Sequence, residues 1–123
     1  MLSPLAYGLA VLISLLVVLI GVRFLLQPEA AAAGYGVPAK PDGDRAYLTI
    51  KGLRDLAYGL LGLALIAFAT PTAVAWYMLI GALEPLGDTV IVLRHGGTKA
   101  AAFGIHFATA VVVLLDAVLL FAL

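Results

Sequence analysis

Five ionisable side chains interrupt the long apolar runs of this 123-residue chain, and their types suit acid–base chemistry. They are three carboxylates, one guanidinium and one imidazole: Asp55, Glu84, Asp88, Arg54 and His106. Such a group at the centre of a bilayer costs about 2.5–3.5 kcal/mol on insertion scales, so it is normally hidden in a helix bundle and used for function. Carboxylates and imidazoles exchange protons with substrates. The pattern therefore predicts a polar site inside a membrane protein.

The composition excludes several classes of protein. Hydrophobic residues make up 64% of the chain and charged residues only 11%, too few to cover the surface of a soluble domain. Because the net charge is zero, nothing indicates a nucleic-acid partner. Because there is no cysteine, disulfides, thiolate metal ligands and cysteine nucleophiles are excluded. The two histidines form no recognisable ligand motif, so we expect neither a metal nor another cofactor.

The apolar runs predict an all-α fold, a four-transmembrane-helix bundle that occupies residues 1–123 as one integral membrane domain. A spanning helix needs about 20 apolar residues, so the length allows four spans with short connections. The first run is too long for a signal peptide and follows no basic residue, so we expect it to be retained. The polar segment from Gln27 to Arg45 is rich in glycine and proline, which predicts a loop of turns and no fifth helix. The predicted spans cover residues 4–26, 46–69, 72–93 and 98–123.

The basic residues predict how this bundle is oriented. The second loop and both termini carry no lysine or arginine, whereas the first and third loops and their flanks carry six: Arg23, Lys40, Arg45, Lys51, Arg94 and Lys99. The positive-inside rule therefore places the first and third loops in the cytoplasm and both termini outside, in a multi-pass protein of the cell membrane.

The polar residues of the predicted spans converge at one depth. At about 1.5 Å per residue, they fall in the inner half of the bilayer. Spacing of i, i+3, i+4 and i+7 places four residues of the second span on one helix face, and two acids of the third span form an i, i+4 pair. We expect one pocket there, with Glu84, Asp88, His106 and Asp55 as catalytic candidates and Arg23, Lys51, Arg54 and Tyr58 as substrate-binding candidates.

Two further expectations concern packing around this pocket. Pro85 removes a backbone hydrogen bond from the third span, and broken helices at depth tend to line cavities. Arg54 is expected to pair with Asp55 or Asp88, since an unpaired charge at that depth is expensive. On the face of the fourth span opposite His106, small residues let another helix approach closely, within the bundle or across a homodimer: Ala100, Gly104 and Ala108.

The linear pattern resembles an uncharacterised family of small four-span membrane proteins of bacteria and fungi, catalogued as a domain of unknown function. The matching stretches extend over nearly the whole chain: Gly21–Phe24, Gly34–Pro38, Lys51–Asp55, Gly87–Asp88 and Gly96–His106. The resemblance implies a four-helix membrane protein and no established activity.

The residues support three hypotheses of function. The leading one is a membrane-embedded acid–base enzyme, such as an isomerase, a cyclase or an epoxide-opening hydrolase, acting on a lipophilic small molecule within the lipid bilayer. Glu84 or Asp88 would be acid or base with His106 as partner, and Arg54 or Lys51 would stabilise developing negative charge. The alternatives are a small proton-coupled transporter and a structural or accessory membrane subunit.

Overall fold

The computed structural model describes residues 1–40 and 43–123, and it confirms the all-α fold class. Two of the helices begin at a proline, Pro28 and Pro71, as helix-end preferences predict. In chain order they are α1 (Leu2–Leu26), α2 (Pro28–Tyr35), α3 (Arg45–Phe68), α4 (Pro71–Gly81), α5 (Leu83–Arg94), α6 (Lys99–Ala101), a π-helical segment (Ala102–Phe107) and α7 (Ala108–Phe121).

Three helical stretches are long and apolar enough to cross a membrane, which indicates a multi-pass membrane protein. They are α1, the pair α4–α5 and the stretch from α6 to α7. Helix α3 is not among them, although its 24 residues are sufficient in length, because its first half carries Lys51, Arg54 and Asp55. A fourth span in α3 stays a prediction.

The expectation that residues 27–45 contain no fifth helix is wrong, because α2 forms there. The local signals for it are present. A proline occupies the first helical turn, Glu29 follows it near the positive end of the helix dipole, and four alanines continue the helix. Gly36 ends the helix in the left-handed region at φ 101°. Residues 41 and 42 of the predicted turn lie outside the described residues.

Helix α2 covers one end of the bundle. Its residues Ala31 and Ala32 are buried in a small apolar cluster with Phe24 of α1, and Leu48 of α3 packs against that cluster. We call this end the charged end, because the basic residues of the connections lie there: Arg23, Lys40, Arg45, Arg94 and Lys99.

Helices α1 and α3 run antiparallel with their backbones in direct contact. A Cβ atom added at Gly52 would lie 2.8 Å from the carbonyl oxygen of Gly21. A Cβ atom added at Gly59 would lie 2.8 Å from the carbonyl oxygen of Ser14 and 2.8 Å from the amide nitrogen of Val18. Only glycine permits so close an approach, which is a common way for membrane helices to pack.

A pair of tyrosines joins α3 to α4. The rings of Tyr58 and Tyr77 stack with centroids 4.6 Å apart and an interplanar angle of 20°. The Tyr77 hydroxyl donates to the carbonyl oxygen of Tyr58 at 2.5 Å, and the Tyr58 hydroxyl donates to that of Tyr77 at 3.3 Å. The stack and the two reciprocal hydrogen bonds fix α4 against α3 beside the predicted pocket.

The third predicted span is broken between α4 and α5, as Pro85 predicts. The α-helix stops at Gly81 and resumes at Leu83. Proline has no N–H to donate to the carbonyl oxygen four residues earlier, which is that of Gly81. The interruption is confined to Ala82, and Glu84 and Asp88 lie beyond it on α5.

The predicted packing of the small-residue stripe of the fourth span within the bundle is wrong. Ala100, Gly104 and Ala108 are exposed, and among the described residues no atom comes within 4 Å of a Cβ atom added at Gly104. The opposite face packs instead and buries Ala102 and His106. The stripe therefore lies on the outer surface of the described structure, and a homodimer through it stays a prediction.

Candidate functional site

Two cavities of about 300 Å³ and about 570 Å³, here called the first and second cavity, share a polar wall made of Tyr35, Asp55, Glu84 and Asp88. The first cavity is also lined by Arg23 and His106, and by apolar side chains of α1 and the π-helical segment. The second cavity is also lined by Lys51, Arg54 and Tyr58. Every site residue predicted from the sequence therefore lines at least one of the two cavities.

The shared wall contains a hydrogen-bonded cluster of Tyr35, Asp88 and His106. The Tyr35 hydroxyl donates to Oδ2 of Asp88. The His106 ring packs against the Tyr35 ring with centroids 4.2 Å apart. Its Nε2 lies 2.6 Å from the backbone carbonyl oxygen of Tyr35, and its Nδ1 lies 3.9 Å from Oδ2 of Asp88. The three residues come from α2, α5 and the π-helical segment, so the site joins three elements.

The backbone of Tyr35 fixes the tautomer of His106. A carbonyl oxygen can only accept a hydrogen bond, so Nε2 must carry a proton. The remaining nitrogen, Nδ1, then faces the carboxyl of Asp88 and is the atom that can gain or lose a proton there. At 3.9 Å the two side chains face each other without forming a hydrogen bond.

The π-helical segment positions this histidine. Its backbone bonds run to i+5, and such segments are frequent at functional sites because they change which face of a helix points inward. The segment follows a short helix capped by Thr98, whose hydroxyl accepts from the amide of Ala101 at 3.0 Å. His106 is only 3% exposed, so its ring is held rigidly between Tyr35 and Asp88.

Lys51 neutralises Asp55 on α3. The ammonium nitrogen lies 2.5 Å from Oδ2 of Asp55, and the side chains are 32% and 14% exposed. The same ammonium group lies 4.3 Å from the ring centroid of Phe24 and 4.5 Å from that of Tyr35, within cation–π range. The Lys51 ammonium group therefore interacts with one carboxylate and two aromatic rings.

The expectation that Arg54 pairs with Asp55 or Asp88 is wrong. Arg54 is exposed and forms no ion pair within the part of the chain that the structure describes. The reason is helical geometry. Neighbours in sequence point away from each other, whereas Lys51 and Asp55 at i, i+4 face each other, so lysine is the partner of this aspartate.

The remaining candidates differ in exposure. Glu84 lines both cavities, is exposed and, over residues 1–40 and 43–123, is without an ion pair. Arg23 is also exposed, and it lines the first cavity from the last turn of α1. Tyr58 lines the second cavity, but its hydroxyl is engaged with the backbone of Tyr77. Glu84 is therefore the carboxyl most available to a ligand.

Sequence reasoning missed Tyr35 as a site residue, because it lies in the segment predicted to form turns. Burial, and next the adjacent carboxylate of Asp88, raise the pKa of Tyr35 above its usual range, so its hydroxyl remains a donor. The signal that could have found it is its position at the end of an alanine-rich helix with a glycine after it.

Asp116 of α7 belongs to neither cavity. It is fully buried, and both carboxyl oxygens are without a hydrogen-bond partner among the described residues. Residues of the main apolar cluster, among them Val113 and Ala117, surround its position on the helix. A charged group with such surroundings would be costly, so Asp116 is a candidate for an uncharged carboxyl that takes no part in the site.

The fold and the cavities define a small helical protein with candidate membrane spans and a polar interior. Residues 14–120 match the family described as Domain of unknown function (DUF4267), and the chain belongs to that uncharacterised family. The match contains all eight candidate residues. No curated protein and no solved structure matches the chain.

Proposed function

We propose that this protein is a membrane-embedded acid–base enzyme that acts on a lipophilic small molecule. The observation that carries the proposal is the Asp88–His106 pair in the wall of the first cavity. The imidazole Nδ1 lies 3.9 Å from Oδ2 of the carboxyl, and the tautomer is fixed by the Tyr35 carbonyl. Shortening of the Nδ1–Oδ2 distance to about 2.6–3.2 Å when a substrate binds would let the pair transfer a proton.

The neighbouring groups suit the two halves of an acid–base reaction. Isomerisation of an alkene needs an acid to add a proton at one carbon and a base to remove one from another. Epoxide opening needs an acid at the oxygen and a base to activate water. In our proposal Glu84 and the Asp88–His106 pair supply these two roles from the same cavity. Asp55 is held as a carboxylate by Lys51 and contributes charge, not proton transfer.

The surroundings of the pair support a lipophilic substrate. The first cavity has a volume of about 300 Å³, at the lower end of ligand-binding pockets, which range from about 300 to 1,000 Å³. Much of its wall is apolar and comes from α1, including Leu16, Val17 and Ile20. A small apolar molecule with one reactive group fits such a cavity better than a highly polar metabolite does.

A proton-coupled transporter is the second candidate, and the shared wall favours it. The carboxyls of Asp55, Glu84 and Asp88 line both cavities, so a proton bound there is accessible from either of them. In both proposals the charged end faces the cytoplasm, because the basic residues of the connections lie there.

Isotope uptake tests the enzyme proposal even though the substrate is unidentified. The full-length protein in liposomes is incubated in deuterated or heavy-oxygen water with a lipid extract to which terpene alkenes and epoxides are added. We expect deuterium in a specific lipophilic product if a proton is added at carbon, or heavy oxygen if an epoxide is hydrolysed. Mass spectrometry of the extracted lipids detects both.

Three variants show which residues are responsible. Glu84→Gln and Asp88→Asn should abolish the label, whereas Glu29→Gln should retain it, because Glu29 pairs with Arg45 at the surface and lines neither cavity. Labelling that persists in Glu84→Gln and Asp88→Asn would overturn the proposed catalytic roles. Absence of label in the wild type, combined with solute flux driven by a pH gradient, would favour the transporter.

A further inference from the structure

The first cavity is lined by more acidic than basic side chains. Three carboxyls line it, those of Asp55, Glu84 and Asp88, together with the guanidinium of Arg23 and the imidazole of His106. Lys51 neutralises Asp55 from the side of the second cavity. With the exposed Arg23 counted in full and His106 neutral, one carboxylate is left without a compensating cation when both Glu84 and Asp88 are ionised. A ligand that carries a positive charge would compensate this carboxylate.

The aromatic rings of the same cavity already hold a cation. Phe24 and Tyr35 both line the first cavity, and their rings meet edge to face with centroids 5.6 Å apart. The ammonium group of Lys51 lies 4.3 Å from one centroid and 4.5 Å from the other. The chain's own ammonium group therefore lies against this ring pair and beside the carboxylate of Asp55.

The cavity also reaches the lipid-facing surface of the bundle. Leu16 of α1 and Ile105 of the π-helical segment line the cavity, and they are 43% and 47% exposed. An apolar molecule dissolved in the bilayer can therefore enter between these two elements without passing through water.

We propose that the first cavity binds a lipophilic cation, an apolar molecule that carries an ammonium or a similar cationic centre. The apolar part lies against α1, and the cationic centre lies near Glu84 and Asp88, because Lys51 already occupies the rings of Phe24 and Tyr35. This inference rests on the proposed function, since it names the ligand class of the same cavity. An alkene or epoxide develops positive charge on carbon when it is protonated, and the same environment would stabilise that charge.

Binding of a matched pair of probes tests this inference. The cationic probe is decyltrimethylammonium, and the neutral probe is its carbon isostere, with a tert-butyl group in place of the trimethylammonium group. Native mass spectrometry of the full-length protein in nanodiscs of neutral lipid counts the bound molecules. A desolvated cation beside the carboxyls of Glu84 and Asp88 should bind at least about tenfold more tightly than its isostere.

Variants locate the binding site and separate the two proposals. Glu84→Gln should weaken binding of the cationic probe and leave the neutral probe unchanged, and it should fold normally because Glu84 is exposed. Glu29→Gln, outside the cavity, should bind like the wild type. Equal binding of both probes, or unchanged cation binding in both Glu84→Gln and Asp88→Asn, would overturn the inference. Isotope uptake without cation binding would refute only the ligand class, and cation binding without isotope uptake would refute only the enzyme.

Discussion

Replacing Gly59 with alanine tests whether backbone contact between α1 and α3 holds the bundle together. The added Cβ atom would lie 2.8 Å from the carbonyl oxygen of Ser14 and from the amide nitrogen of Val18, whereas ordinary contact begins at 3.4 Å. The helices must therefore separate locally by about 0.6 Å, the difference between these two distances. Backbone atoms cannot rotate away as a flexible side chain can, so the strain is not relieved locally.

The expected effect is a loss of stability of about 1–2 kcal/mol. Overpacking of a tight contact costs about 1–3 kcal/mol, and the better helix propensity of alanine offsets up to about 1 kcal/mol of it. For a chain of this size the midpoint of thermal unfolding should fall by roughly 3–10 °C. The single tryptophan, Trp76, reports the transition by fluorescence, because its ring packs against Phe121 and this contact is lost on unfolding.

Gly8→Ala is the matched control for this experiment. Gly8 lies in α1 as well, but within the described structure a Cβ atom added there meets nothing within 4 Å. We expect its midpoint to equal or exceed that of the wild type. If Gly59→Ala unfolds at the same temperature as Gly8→Ala, the close approach of α1 and α3 is not what stabilises the bundle, and the reasoning fails.

Three further predictions follow from contacts in and beside the site. Tyr77→Phe should lower stability by about 1 kcal/mol in the same fluorescence assay, because it removes the hydrogen bond to Tyr58 and keeps the stacked ring; an unchanged midpoint would contradict this. Asp55→Asn should cost about 1–3 kcal/mol, since it leaves Lys51 without its carboxylate, and full stability of that variant would show that the pair contributes nothing. Lys40→Cys should resist labelling by a membrane-impermeant maleimide added to intact cells, because the charged end is predicted to be cytoplasmic; efficient labelling would reverse the orientation.

The local features of this chain could be predicted from sequence because they depend on neighbours a few residues apart. The break before Pro85 follows from the missing amide hydrogen, and the apolar runs give the long helices. Partner choice on α3 is local too. The i, i+4 rule selects Lys51 over Arg54 as the partner of Asp55. The cost of burying a guanidinium does not decide which way the Arg54 side chain points.

The central cluster could not be predicted, because it depends on contacts between distant parts of the chain. Tyr35 and Asp88 are 53 positions apart, and Tyr35 and His106 are 71 positions apart. Periodicity within a helix shows which of its faces is polar. It does not show that a short helix such as α2, in a segment predicted to form turns, packs against that face. The rise per residue along the predicted spans places Asp88 and His106 at one level of the bilayer. It does not show that the backbone carbonyl of Tyr35 fixes which nitrogen of His106 carries the proton.

Helix α3 shows how a polar segment could still form the predicted fourth span. Its outward residues are apolar, with Leu53, Leu60 and Leu61 60%, 51% and 49% exposed, so they would face hydrocarbon. Its charged pair, Lys51 and Asp55, neutralises itself beside the cavities. Arg54 is the exception, because it is charged and exposed. It lies nine residues after the start of α3 at Arg45, about 14 Å along the axis, from where a long side chain can extend toward the charged end. A span in α3 therefore requires Arg54 to reach the interface, and this requirement makes Arg54 the residue that limits how deeply α3 can lie in the membrane.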